Sequence, residues 1–326
     1  MNVPRVIVAV FAVVFAILGG SLSSSAQLLA KTWPESTVRF ILPLAPGSGA
    51  DVAARFLAQR LSQRWGQPVI VDNRQGGDGI PAVISFLGAR DPHQFLFSFA
   101  GIITINPLTH SQLPYDPKDL VPIVPVIDNY IGVSAAAALQ ANTVSDLIDI
   151  AKRRPGALNW ASSPGLPHYV MLALQRSAGI EMVRVPYREI APAVQDLTQG
   201  RLQAVATALP LLLPQHASGA AKLLFVTGRQ RSSQAPDVPT AAEAGYPDLT
   251  FEGVVGIYGW RDMPTEIRDR VSKDVQEITA DPSFGTRLTA VGSVPHTGTT
   301  ADFAAAIEQQ RATIAALHEA SAVPAR

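Results

Sequence analysis

The sequence contains no cysteine. That excludes disulfides, thiolate metal sites and a lipid anchor attached at a cleavage-site cysteine. It also lacks net charge, since 26 basic side chains balance 26 acidic ones. A nucleic-acid or polybasic membrane partner normally needs a clustered basic surface, and none is visible. Catalytic signatures are missing too. There is no G-x-S-x-G elbow, no H-E-x-x-H helix and no Walker lysine. His93, His110, His168, His216, His296 and His318 are scattered without metal-ligand spacing. Triads can assemble from distant residues, so missing motifs lower the case for an enzyme without closing it. The expectation is a non-enzyme with no metal and no cofactor.

Long apolar runs are absent as well, apart from one at the start. Met1 to Arg5 is short and positive, and Val6 to Leu18 is almost entirely apolar. Ser24-Ser25-Ala26 then offers small side chains at the positions that a signal peptidase inspects. The apolar run is about 13 residues, short of the roughly 20 that a membrane span needs. Residues 1–26 therefore read as a cleaved signal peptide, and the mature chain as a periplasmic protein. Without disulfides its core must hold it, which a chain of about 300 residues can do.

What is present is an α/β pattern. Val38 to Leu42 is apolar enough for a buried strand and empties into the loop PLAPGSGAD, Pro43 to Asp51. Val52, Phe56, Leu57, Leu61 and Trp65 then recur at helical spacing. Gly66 and Pro68 stop that helix, and Val69 to Val71 begins a new strand. A glycine turn spans Gly76 to Gly79, and Phe95 to Ala100 reads as another strand. The stretch from Gly101 through Thr104 to Asn106-Pro107 reads as loop. Leu120 to Val126 leads to a strand at Tyr130 to Val133, and Thr143 caps a helix from Val144 to Arg153.

The plan then repeats. Leu158 to Ala161 reads as a strand, Ser162 to His168 as a loop, and a helix follows to Ala178. Further strands are expected at Val183 to Pro186, Ala204 to Ala208 and Leu223 to Thr227, with a helix at Ala191 to Gln199. The tail is helical from Thr265, broken near Pro282, and ends in a helix from Ala301 to Leu317. Repeated β-loop-α-β units predict an α/β fold with parallel strand pairs.

Two strand-to-helix loops therefore stand out, Ala45-Pro46-Gly47-Ser48-Gly49-Ala50-Asp51 and Ser162-Ser163-Pro164-Gly165-Leu166-Pro167-His168. Ligands of open α/β sheets sit beyond the carboxyl ends of the strands. Helix amino ends there carry unpaired N–H groups and partial positive charge, which suit a carboxylate. Ser48, Ser162 and Ser163 add neutral donors. Each feature also has a plainer reading. Gly47 and Gly49 suit any tight turn, and Asp51 suits a first-turn dipole partner. His168 suits a structural hydrogen bond, and Tyr187 suits either core or pocket wall.

Trp33 to Gly79 resembles the opening of the Bug-type substrate-binding proteins of the tripartite tricarboxylate transporter family. The shared series is aromatic-Pro, a strand, P-x-x-P-G-G-x-x-D, a helix, G-Q-P-V-V-V, then N-R-x-G-A-G-G. The likeness continues at Asn106-Pro107, Leu113 to Pro117, Leu158 to His168, Val185 to Arg188, Pro236 to Thr240 and Glu243 to Gly245. The resemblance implies a two-lobed periplasmic binding protein fold (type II-like), each lobe a mixed sheet flanked by helices, with a ligand cleft between. Lobe one is then expected at residues 31–127 plus 249–326 and lobe two at 128–248, joined by two crossing strands. It further implies that the two loops clasp a small organic carboxylate, with Gly101, Thr104, Tyr187 and Thr207 lining or shaping the cleft. The implied partners are the membrane permease subunits of a tripartite transporter, or alternatively a sensor kinase's periplasmic domain, for a monomeric receptor. A periplasmic enzyme acting on a carboxylate is a weaker alternative.

The sequence departs from the family series at Ser48, at Asp78 and at Glu189, where glycine is usual. Thr104 stands where histidine is common. Thr207 stands where aspartate often suits ligands with an amino group, which favours a ligand without one.

Overall fold

The computed structural model describes residues 33–322 except 188, 252 and 290–292. The expected signal peptide and Arg188 lie outside the described residues.

The first lobe is built as the periodicity predicts. Strand β1, Val38–Leu42, is buried at all positions but Arg39. Helix α1, Gly49–Trp65, lays Ala53, Ala54, Leu57, Ala58 and Leu61 against the sheet, and these small and branched residues let it approach closely. Gly66 ends it in the left-handed conformation (φ 68°), where a side chain would be strained. Strand β2, Val69–Asn73, helix α2, Ile80–Ala89, and strand β3, Gln94–Phe99, follow. β1 pairs in parallel with both strands.

The stretch after β3 differs from expectation. It is two helical turns, α3 (Gly101–Thr104) and α4 (Asn106–Thr109), rather than loop. The amides of Ile103 and Thr104 turn back to the Ala100 carbonyl, and burial of Ile102, Ile103 and Ile105 fixes the turns. β-branched residues at this density mask a helical turn in the sequence.

Strand β4, Leu120–Asn129, carries the chain out of the first sheet, and β5, Ile131–Ala136, begins the second. Helix α5, Val144–Arg153, starts as expected at Thr143. The Thr143 hydroxyl accepts from the Asp146 N–H and the Asp146 carboxylate accepts from the Thr143 N–H, a reciprocal capping box. Next come β6 (Asn159–Ser162), α6 (Leu166–Ala178), β7 (Val183–Arg184), α7 (Ile190–Thr198), β8 (Ala204–Ala208), α8 (Leu213–Ala217) and β9 (Ala221–Val226). β7 is shorter than the four residues expected. Pro186, with no N–H to donate, limits the ladder.

The chain then returns through β10, Gly253–Trp260, which the sequence pattern did not reveal. Its three glycines weaken the strand signal, yet one has a packing cause. A methyl group at Gly256 would meet the Phe303 ring and the Val124 carbonyl at 2.5 Å. Helices α9 (Thr265–Thr279) and α10 (Pro282–Thr289), strand β11 (Ser293–Pro295) and helix α11 (Thr300–Ala322) complete the chain.

The strands form two sheets. One has the order β11-β4-β10-β3-β1-β2 and the other β7-β6-β8-β5-β9. β10 runs antiparallel between β3 and β4, and β5 antiparallel between β8 and β9, so both sheets are mixed. Helices cover both faces of each sheet, with Phe40, Leu57 and Val271 in one core and Val133, Leu147 and Leu174 in another. Two adjacent segments join the sheets: Asn129 is opposite Gly253, and the Thr227 N–H donates to the Ile131 carbonyl (2.9 Å) while the Ile131 N–H donates to the Thr227 hydroxyl (3.3 Å). A third tie is α11. Its Phe303 packs on Tyr258 of the first sheet (5.0 Å between ring centroids), while Ile314 is buried among residues of the second.

Candidate functional site

A cavity of about 580 Å³ opens between the two sheets, within the size range of small-molecule sites. Its walls come from the carboxyl ends of the strands, where open α/β sheets bind ligands. β1 leads into Pro43 and Leu44, β3 into Ala100 and Gly101, and β6 into Ser163 to Tyr169. The floor holds Asn129, Ile131 and Gly253, the residues at which the chain crosses between sheets.

The second predicted loop lies in this wall along most of its length. Gly165 adopts φ 78°, ψ −137°, which only glycine holds without strain, and α6 starts at the next residue. No side chain caps that helix; Pro167 has no N–H and the His168 N–H turns to the Gly165 carbonyl (3.1 Å), so the Gly165 and Leu166 N–H groups are the ones left at the cavity wall. The Ser163 hydroxyl lies 2.6 Å from the Thr207 hydroxyl across to β8. Ser162 sits behind the wall; its hydroxyl is buried without a hydrogen-bond partner among the described residues.

The loop is shorter than the Ser162 to His168 expected, since Ser162 ends β6 and His168 lies in the first turn of α6. The His168 ring stacks on Trp160 (5.5 Å between centroids, 19° between planes). Burial lowers its pKa to about 4, with the nearby Arg184 guanidinium contributing in the same direction. The imidazole is therefore neutral at physiological pH, and this part of the cavity wall carries dipoles rather than a histidine cation.

The first predicted loop is arranged differently. None of Ala45 to Asp51 lines the cavity, which the loop reaches only through Pro43 and Leu44. Ala45, Pro46 and Gly47 are exposed. Ser48 caps α1, its hydroxyl accepting from the Asp51 N–H at 3.3 Å. Asp51 points back into its own loop. Its carboxylate accepts from the Gly47 N–H (2.9 Å), Arg55 Nε (2.9 Å) and Asn73 Nδ2 (2.8 Å). Burial raises the carboxyl pKa, but those hydrogen bonds and the Arg55 charge outweigh it and hold it below the ordinary value. Asp51 is thus the hub that keeps the loop in shape.

The remaining predicted residues divide. Gly101 lines the cavity, where a methyl group would meet the Phe99 ring at 2.9 Å. Thr207 lines it too. Thr104 sits one layer back: its hydroxyl donates to the Ala100 carbonyl (3.1 Å) and accepts from Gln310 Nε2 (2.8 Å). Tyr187 is turned away from the cavity, its hydroxyl donating to Asp196 at 2.5 Å.

Among the wall residues outside the predicted set, three bear most on its chemistry. Gln310 reaches the cavity from α11. Because the Thr104 proton is spent on Ala100, the Gln310 amide nitrogen must face Thr104. Asp78 also lines the cavity, 3.0 Å from His110 Nε2. Arg184, on β7, brings the one permanently positive side chain that the described residues place in the cavity wall. Asp78 was legible as a departure from the family series. Nothing in one sequence marks a glutamine on a distant helix or an arginine in a two-residue strand. No group of three or more potential metal ligands occurs among the described residues, and none of their helices is long and apolar enough to cross a membrane.

Comparison with known proteins agrees with this architecture. Residues 53–322 match the model of the tripartite tricarboxylate transporter family receptor. BugT of Bordetella pertussis is 29% identical over 302 residues, covering 90% of this chain and 90% of BugT. The structure of an R. palustris protein with adipate is 28% identical, with a TM-score of 0.79 over 88% of this chain and 97% of that one. The periplasmic binding protein BugD gives a TM-score of 0.75 at 26% identity, over 89% of this chain and 99% of its own. The chain belongs to the tripartite tricarboxylate transporter receptor family and is a Bug-type periplasmic solute-binding protein.

Proposed function

We propose that this receptor captures a small organic carboxylate in the cavity between its sheets, returns it unchanged, and delivers it to the membrane permease of a tripartite transporter. The observation that carries this reading is the paired hydroxyls of Ser163 and Thr207 beside the uncapped amino end of α6. Neutral donors and a helix amino end hold a carboxylate reversibly. The adipate held by the R. palustris relative is of the same chemical class.

Closure is the working motion. The lobes, residues 31–127 plus 249–326 and residues 128–248, hinge where Asn129 to Ile131 and Thr227 to Gly253 cross between sheets. In the closed form the Ala45 to Asp51 loop approaches the ligand from the opposite side to Ser162 to His168. Water completes contacts that neither loop makes directly. The chain reaches the periplasm by a signal that is removed after Ala26.

Titration calorimetry against mono-, di- and tricarboxylates tests the reading, and native mass spectrometry of freshly purified protein would give the mass of a retained ligand. Failure of every anionic ligand in a broad panel would sink it. Appearance of a chemically altered ligand after long incubation would make the protein an enzyme instead.

A further inference from the structure

We infer that Asp78 and His110 tie ligand capture to the uptake of a proton: the pair stands at the cavity's edge with one net negative charge, and an anionic ligand enters together with a proton that neutralises it. This rests on the carboxylate reading of the same cavity. Asp78 belongs to the turn Gly76 to Gly79, whose four residues have φ of 99°, 54°, 53° and 80°. Three of them are glycines, which hold positive φ without strain. Asp78 holds it at a cost that a fourth glycine would avoid. The turn lines the cavity through Gly76, Asp78 and Gly79. Asn106 Nδ2 donates to the Asp78 carbonyl (3.0 Å) and fixes the turn against α4.

A carboxylate in the wall of a carboxylate site repels its own ligand. The plainer reading is that aspartate is among the few side chains tolerated at positive φ, and that its bond to His110 merely pins the turn. Yet the pair also sets a charge. The Asp78 carboxylate can only accept, so His110 Nε2, 3.0 Å away, is the nitrogen that carries the hydrogen. Nδ1 is then free to take a second proton. The His110 ring has no other hydrogen bond or ion pair among the described residues. Tyr115 is close enough to feel the Asp78 charge, but its hydroxyl donates to the Ile102 carbonyl and stays neutral, its pKa pushed up to about 12 by burial first. One proton therefore decides whether this corner is negative or neutral. Histidine is the side chain that makes such a change between pH 5 and 8. An anion beside the pair favours the charged ring, and by linkage the charged ring favours the anion. Side-chain exposures of 43% for Asp78 and 32% for His110 open the proton to exchange with solvent and keep the coupling modest. On the other lobe, His168 is neutral and Arg184 charged over this range, so neither supplies the same pH dependence.

The test is calorimetry with the tightest binder from a panel of mono-, di- and tricarboxylates, at pH 6, 7 and 8, each in two buffers of different ionisation enthalpy. The difference between buffers counts the protons taken up on binding. The proteins are the wild type, H110Q, H110N and D78G, the last of which suits the turn's backbone. The ligand's own protons cancel when variants are compared with the wild type. At pH 7 the wild type should take up a fraction of a proton more than the His110 variants. Its affinity should rise from pH 8 to pH 6 by about threefold more than theirs. D78G, freed of the negative charge, should bind about threefold more tightly than the wild type at pH 8. Equal proton uptake by the wild type and the His110 variants overturns the inference, and so does the absence of any gain in D78G. Failure of the wild type to bind every member of the panel removes the functional reading as well, whereas binding without the extra proton removes this inference alone. Thermal melting shows which variants are folded, and either His110 variant suffices for the comparison.

Discussion

The hydroxyls of Ser163 and Thr207 lie 2.6 Å apart, one just past β6 and the other within β8. A pair of hydroxyls shares one proton between its oxygens, so one further proton stays free to donate into the cavity. The Ser163 N–H is already committed to the Ala206 carbonyl, which locks the serine's position.

Replacing Ser163 by alanine should therefore cost more than one ligand bond, because Thr207 also loses its orientation. The expected loss is about 1–2 kcal/mol, or roughly tenfold in Kd. T207V should give a similar loss, and the double variant should lose little more than either single one. Calorimetry reads all three. Additive losses in the double variant would mean that the two hydroxyls act independently.

The neutrality of His168 predicts a particular pH dependence. Its folded pKa of about 4 lies below the ordinary 6.5, through burial first and the Arg184 charge second. The unfolded chain takes up that proton first as pH falls. The stability contribution is complete above pH 6.5 and is lost progressively as pH drops toward 4. Allowing for the ring's partial contact with solvent, the loss is about 2 kcal/mol. Urea unfolding of the wild type and H168Q at pH 7 and pH 4.5 checks it, since the variant should lose this part of the slope.

Asp51 should matter for the first loop's shape. Its carboxylate joins Gly47, Arg55 and Asn73, which belong to the loop, α1 and β2. D51N keeps the volume but loses the charge-assisted bonds, and about 1–2 kcal/mol of stability should go with them. The carboxyl's lowered pKa makes its contribution complete above the unfolded value of 3.8 and lost as pH falls below it. The stability gap between wild type and D51N should accordingly shrink in acid, and a gap constant from pH 7 to pH 3 would contradict the role assigned to it.

These residues also show what the sequence could and could not reveal. α1, α5 and β8 were legible because their apolar spacing, caps and glycine stop agree with one another. The strand-to-helix connection within Ser162 to His168 was legible because a strand, a glycine and a helix occur in order, though the loop itself is only Ser163 to Gly165. β10 was not legible, since its glycines weaken the strand pattern and the one at Gly256 is set by Phe303, which lies in a helix far along the chain. The turns at α3 and α4 were hidden by isoleucines whose burial overrides their strand preference. Arg184 and Gln310 reach the cavity only through the register of one sheet and the path of the last helix. Such placement is a property of tertiary packing that no local pattern encodes.

The path of that last helix gives a final prediction. α11 packs Phe303 into the space left by Gly256 and presents Gln310 to the cavity two turns later. Its Tyr169–His318 hydrogen bond (3.0 Å) then ties it to α6, the helix whose amino end faces the ligand. A methyl group at Gly256 would collide with the Phe303 ring and also with the Val124 carbonyl of the neighbouring strand. The ring can move if α11 shifts, but the carbonyl can move only with β4. G256A should therefore destabilise the protein by about 1–3 kcal/mol. Shortening the ring in an added F303L change should recover only part of that loss, because the carbonyl contact remains. Full recovery would place the strain in the helix alone. Since a shift of α11 carries Gln310 with it, G256A should also weaken ligand binding although it touches no cavity residue. Denaturation and calorimetry on the same preparations separate the two effects.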